Sequence, residues 1–156
     1  VILLDTGARL NEVQRLEWKQ VDLEKRQIHL WRPKVKNESV LFMTDRLYLI
    51  FQRRYDERRS DRWVFVDESG SKPRQNHKRS MRRAFNRADL EDCSLHTLRH
   101  TFASRLVQAG VSLYKVSQLL GHAEIRTTQI YAHLSPENAA SEAVSVLNQL
   151  NGVTSQ

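Results

Sequence analysis

Apolar residues recur every three or four positions through most of the chain and alternate over only a few short stretches, which predicts a mainly helical protein with a little sheet. Leu10, Val13 and Leu16 follow Thr6-Gly7 at helical spacing and predict a short helix from about Asn11 to Lys19. Gln27 to Trp31 and Val40 to Met43 are β-favouring runs separated by Pro33 and the polar stretch Lys34 to Ser39, the pattern of a hairpin. Thr44 or Asp45 can cap a helix that buries Leu47, Ile50, Phe51 and Tyr55 and leaves Arg53, Arg54, Arg58 and Arg59 outside. Trp63 to Val66 predicts a further strand, giving a small antiparallel sheet of about three strands.

The second half reads as helix after helix. One is expected near Arg74 to Ala88, with Met81, Phe85 and Ala88 inward. Leu98, Phe102, Leu106 and Ala109 stripe the next, which Gly110 stops. Leu113, Val116, Leu119 and Leu120 stripe another ending at Gly121, a short one contains Thr127 to Tyr131, and Ser135-Pro136 opens a last helix to about Leu150. The fold class expected is therefore mainly α, or α+β.

Composition narrows the function classes. The 156 residues suit one compact domain and carry 25 Lys+Arg against 18 Asp+Glu, a formal charge of +7. That charge is local: Arg46 to Arg87 alone sums to +8, whereas Ala132 to the end holds no Lys or Arg. One face for a polyanion and a differently purposed tail are expected. The longest wholly apolar run, Leu47 to Phe51, is far short of a membrane span, and Cys93 alone supports neither a disulfide nor a cysteine zinc site. A cytoplasmic protein with no membrane partner is expected. An apolar start, Val1 to Leu4, running at once into a motif-like segment reads as a fragment whose N-terminal part is missing.

Five polar residues stand beside glycines or inside helical patterns: Arg9 in TGARLNEV, His96 and Arg99 in HTLRH, His122 in LGH, and Tyr131 in TTQIYAHL. Singly each has an ordinary structural reading. Together, in this order and spacing from Thr6 to His133, they resemble the catalytic domain of the tyrosine recombinases, the phage integrase family. TGARLNE resembles the box around the family's first arginine, HTLRHTFAS its histidine and second-arginine box, and LGH with Tyr131 nine residues later its C-terminal box.

The resemblance implies a helical recombinase core over residues 1–156 without the N-terminal core-binding domain, and site-specific DNA cleavage and rejoining through a 3′-phosphotyrosine. It implies Tyr131 as nucleophile, His122 as a donor to the scissile phosphate, and a hairpin lysine, Lys34 or else Lys36, as acid for the leaving 5′-oxygen. Glu12 resembles the family's acidic partner, although a salt bridge to Arg15 or Arg9 is the alternative. Implied partners are double-stranded DNA and further copies in a tetrameric synapse, with the helix at 135–150 docking in trans or packing on its own domain. A bacterial or phage-encoded source is implied as well.

The chemistry supports the same roles. Phosphoryl transfer needs fixed positive donors where the five-coordinate transition state gathers charge, and Arg9 and Arg99 can donate paired hydrogen bonds to phosphate oxygens at any working pH. His96, one helical turn before Arg99, is the general acid/base candidate. Covalent tyrosyl exchange conserves bond energy, so no cofactor, metal or ATP is expected. Arg74, Lys78, Arg79, Arg82 and Arg83 are the candidate DNA-binding side chains.

Other classes remain. His96 and His100 have the spacing of a helical metal pair, yet Thr97 stands where a metalloprotease needs glutamate, so a hydrogen-bonded structural role is expected of His100. Thr101 to Tyr131 also reads as a helix-turn-helix, the mark of a non-enzymatic DNA-binding regulator, which leaves the two arginines, His122 and Tyr131 without a joint purpose. A third class, a relative that binds DNA without chemistry or relaxes it without synapsis, fits poorly with a complete set of motif residues.

Overall fold

The computed structural model describes residues 1–32, 37–75, 77–136 and 139–152. Lys34 and Lys36 lie outside the described residues, as does the side chain of Lys78. The helices are α1 (Ile2–Thr6), α2 (Leu10–Gln14), α3 (Asp45–Asp56), α4 (His77–Arg87), α5 (Leu95–Gln108), α6 (Leu113–Leu120) and α7 (Ala139–Leu150). Two 3-10 segments, Trp18–Gln20 and Ile125–Leu134, add to them.

The strands are β1 (Val21–Asp22), β2 (Gln27–Arg32) and β3 (Asn37–Phe42), in that order and antiparallel throughout. Ile28 opposes Leu41 and Leu30 opposes Ser39. Alternation sends Ile28, Leu30 and Leu41 into the core and leaves Trp31, Val40 and Phe42 exposed.

The main core joins this inner sheet face to Leu3, Val13, Leu16 and Trp18 on one side and to Leu47, Phe51 and Val64 on the other. Trp18 meets Phe51 and Tyr55 edge-on, at centroid distances of 6.4 and 5.2 Å. A second core gathers Ala103 and Val107 of α5, Val116 and Leu120 of α6, and Tyr131. The two cores meet where α1 lies against α5: a Cβ on Gly7 would stand 2.5 Å from the Phe102 ring and 3.0 Å from Leu120. Gly7 also has φ +63°, the left-handed conformation that ends α1. Both constraints demand glycine there.

Several expectations change. Trp63 to Val66 is not a strand: it makes isolated bridges, Glu17 with Trp63 and Val66 with Pro73, and its backbone bonds go to Leu16 and Arg74 rather than to the sheet. The sheet's third strand is instead the two-residue β1. The helix expected from Asn11 to Lys19 stops at Gln14, and the Glu17 and Gln20 side chains and amides cap a separate 3-10 turn. Arg54, expected outside, is half-buried over the Phe65 ring and donates to the Val64 carbonyl at 3.1 Å. Ala88 and Leu119, expected inward, are exposed.

One ion pair pins α1 to the start of α3. Asp5, whose side chain is 2% exposed, accepts from Arg46 Nε at 2.8 Å and from Thr44 Oγ1 at 2.5 Å, with a further bond from Arg46 Nη2. The bond from Arg46 lowers the Asp5 pKa, against an opposing effect of burial. A lowered folded-state pKa means that stabilisation is complete above the unfolded value and is lost as pH falls through the folded one. Asp5→Asn should therefore destabilise the protein by about 1 kcal/mol near neutrality, discounted for the exposed arginine. The difference from the parent should shrink in denaturant titrations below about pH 4 and vanish in stronger acid.

Candidate active site

The TGAR segment is built by local bonds. Thr6 Oγ1 donates to the Ile2 carbonyl at 2.7 Å and accepts from the Ala8 amide at 3.2 Å, and Gly7 turns the chain out of α1. Arg9 then caps α2: its amide donates to Glu12 Oε2 at 2.8 Å, while its Nη1 donates to Glu12 Oε1 at 3.0 Å. Glu12 thus binds Arg9 at both ends, the alternative named for it above. Arg9 Nη2 reaches the Gly121 carbonyl at 3.3 Å.

Arg99 is buried, at 6% exposure, in the middle of α5. Its Nη1 donates to the Gly7 carbonyl and its Nη2 to the Leu120 carbonyl at 2.8 Å. Those carbonyls close α1 and α6, where helix ends carry partial negative charge and lack intrahelical partners. The guanidinium supplies both needs.

Gly121, at φ +62°, ends α6 with its amide on the Gln118 carbonyl and the His122 amide on the Ser117 carbonyl, at 2.9 and 3.1 Å. This is a Schellman cap, and it explains the LGH spacing: only a left-handed residue at 121 turns His122 back along the helix. His122 Nδ1 lies 2.8 Å from Oγ1 of the fully buried Thr128.

Tyr131 is buried in the second core, its hydroxyl 2.5 Å from His100 Nδ1. His100 meets His96 edge-on, ring centroids 4.7 Å apart. Burial first, then the nearby charges of His96 and Arg99, lower the His100 pKa and favour neutral imidazole. Burial raises the Tyr131 pKa, partly opposed by Arg99.

A cavity of about 560 Å³ opens between these elements and α4. Arg9, His96 and Arg99 line it on one side, Arg82 and Phe85 on the other. The fold thus gathers three of the five motif residues at one opening. His122 and Tyr131 are not among its lining residues: one is bonded to Thr128, the other lies behind His100. Tyr131 contributes its ring to the second core, while the Gly121 carbonyl, next to His122, accepts from Arg9.

Residues 1–138 match the sequence profile of the phage integrase family. The chain belongs to that family. It is 29% identical over 153 residues to the tyrosine recombinase XerA of Saccharolobus solfataricus, covering 98% of this chain and 50% of that one. It is 32% identical over 154 residues to the integrase of Salmonella phage P22, covering 90% and 39%. A crystal structure of the XerH recombinase bound to its difH substrate in a pre-cleavage complex superposes with a TM-score of 0.74 at 28% identity, covering 94% of this chain and 44% of that one. The chain spans half or less of the length of these two curated relatives.

Within this integrase-family domain the basic residues of α4 divide. Arg82 faces the cavity, whereas Arg79 and Arg83 join Arg74, Arg59 and Lys72 around a second, open cleft of about 960 Å³. Sequence reasoning did not single out Thr128, and for His100 it expected a hydrogen bond without naming its partner. Thr128 gave no signal beyond its helical setting. His100 stood next to Arg99 and one turn from His96, but its partner lies 31 residues away and only folding brings it close.

Arg99→Lys tests the buried guanidinium, since one ammonium cannot reproduce the forked geometry towards Gly7 and Leu120. A buried carbonyl left unpaired should cost about 1–3 kcal/mol, measured by urea unfolding, even without any ligand.

Proposed function

We propose that this domain is the strand-transfer unit of a site-specific DNA recombinase, cutting and resealing DNA through a 3′-phosphotyrosine on Tyr131. The observation that carries the reading is the meeting of Arg9, His96 and Arg99 at one cavity whose far wall is the basic helix α4. A backbone phosphate seated there receives two guanidiniums, and charge developing on phosphorus is met by donors already held in place. Glu12 orients Arg9, His96 moves a proton, and His122 donates to the phosphate. Lys34, or else Lys36 on the same hairpin, protonates the departing 5′-oxygen. Attack by the phenol forms a phosphotyrosyl ester and frees a 5′-hydroxyl, and the reverse attack restores the diester without ATP or metal.

Double-stranded DNA is the partner, held by Arg74, Lys78, Arg79, Arg82 and Arg83 through its phosphates, in the cytoplasm of a bacterial or phage-infected host. Among the described residues no helix is long and apolar enough to cross a membrane. The XerH structure's own DNA substrate supports the choice of ligand. A core-binding domain preceding this one closes the grip on DNA. The apolar stripe of α7, with Val144, Leu147 and Leu150 exposed, docks on a neighbouring copy in a tetrameric synapse. A helix-turn-helix regulator gives the cavity no purpose and leaves the meeting of Arg9, His96 and Arg99 there unexplained, and α6 spends Val116 and Leu120 on the core.

A nicked suicide substrate tests this directly. An SDS-stable protein–DNA adduct should form in EDTA and disappear in Tyr131→Phe, with DNA binding retained; no adduct, or an adduct that needs a divalent ion, rejects the mechanism. Affinity should fall steeply with salt, and Arg82→Ala or Arg83→Ala should each lower the log–log slope by about 1.

A further inference from the structure

In the reading above His96 is the acid/base group, yet the nucleophile's hydroxyl contacts a different imidazole. A phenol is a weak nucleophile until its proton leaves, and burial makes Tyr131 hold it more tightly. His96 lines the cavity with Arg9 and Arg99, and its ring contact is with His100, not with Tyr131. His100 is the residue that touches the hydroxyl, through Nδ1 at 2.5 Å.

We infer that His100 is a catalytic residue, the general base that takes the Tyr131 proton during strand cleavage and returns it during rejoining. The assignment rests on Tyr131 being the nucleophile. In the Nε2–H tautomer Nδ1 presents a lone pair to the phenol, so the hydrogen bond already runs from acid to base. In cleavage the Oη–H bond breaks and its proton moves to Nδ1, while the Oη–phosphorus bond forms and the phosphorus–O5′ bond breaks. The departing oxygen is protonated on the opposite side by the ammonium of the reading above. In rejoining, the 5′-hydroxyl gives its proton back to that amine as its oxygen bonds phosphorus, the Oη–phosphorus bond breaks, and Nδ1 returns its proton to the phenolate. The transfer leaves electron count and charge balanced at every step.

Placement supports the assignment. Arg99 and His100 are consecutive on α5 and His96 is one turn earlier, so a single rigid helix carries the phosphate donor, the acid/base candidate facing the cavity, and the base behind it. A base must be neutral to accept a proton, and the surroundings of His100 hold it so. His96 and Arg99 act on it from its own helix, and Tyr131 faces it from the 3-10 segment. α1 and α6 present the Gly7 and Leu120 carbonyls to Arg99, and the one carboxylate at that end of α1, Asp5, is engaged by Arg46 and Thr44. Burial disfavours the imidazolium, and the charges of His96 and Arg99 disfavour it further.

The test is single-turnover cleavage of the suicide substrate by the whole chain across a pH series. His100→Asn places an amide oxygen near the Nδ1 position, so it can keep the hydrogen bond but cannot take the proton; His100→Gln serves as a second variant, and thermal melting shows that each is folded. Adduct formation by the parent should level off above the imidazole's lowered pKa and fall below it. His100→Asn should cleave about 100-fold more slowly near neutrality. Its rate should climb about tenfold per pH unit with no plateau, as expected when hydroxide replaces the base, and the adduct should still form on Tyr131 at long times. Folded variants that cleave at the parental rate with the parental pH profile overturn the assignment. Faster cleavage also overturns it, since His100 would then be restraining the tyrosine. An adduct that persists in Tyr131→Phe rejects the nucleophile itself, a separate failure from that of the base.

Discussion

A single buried cation organises this domain. Arg99 sits almost out of solvent with its guanidinium forked between the carbonyls that close α1 and α6. Removing such a charge from water is costly unless every proton on it finds an acceptor and the surrounding dipoles favour it. Two helix C-termini aimed at one point meet that demand. Remove the cation and two orphan carbonyls face each other; remove either helix end and the cation is stranded. The glycines at 7 and 121 follow from the same geometry, since each terminates its helix so that a carbonyl can face inward.

That arrangement also concentrates positive charge at the cavity. The positive charge is fixed in place by the fold before any ligand arrives, and Arg9 is held beside it by Glu12 and the Gly121 carbonyl. Both guanidiniums are anchored through part of their donor set to the backbone around residues 120 and 121. The side chains best suited to phosphate are therefore also those that join the TGAR segment to the end of α6. Stability and charge placement rest on the same bonds.

Much of the fold was legible locally. The stripes of α3, α4, α5 and α6 and the helix stops at Gly110 and Gly121, both left-handed, follow from helical periodicity and the conformational freedom of glycine. Where reading failed, a non-local partner was decisive. Trp63 to Val66 has strand-favouring residues, but its backbone groups go to Leu16, Arg74 and isolated bridges, partners far along the chain or across a loop that no local pattern names. The expected first helix is divided because Glu17 and Gln20 satisfy each other's backbone.

The sequence by itself determined which chemical groups are present and on which helical faces they lie: two guanidiniums, an imidazole one turn from the second, and a histidine set off by a helix-ending glycine. Those are consequences of spacing, and spacing is local. Tertiary structure alone decided their company. It buried Arg99 while leaving Arg9 and His96 at an opening, drew Tyr131 into a core, and put His100 against its hydroxyl. Such contacts join residues up to 112 positions apart and depend on how helices pack, which no periodicity along the chain encodes.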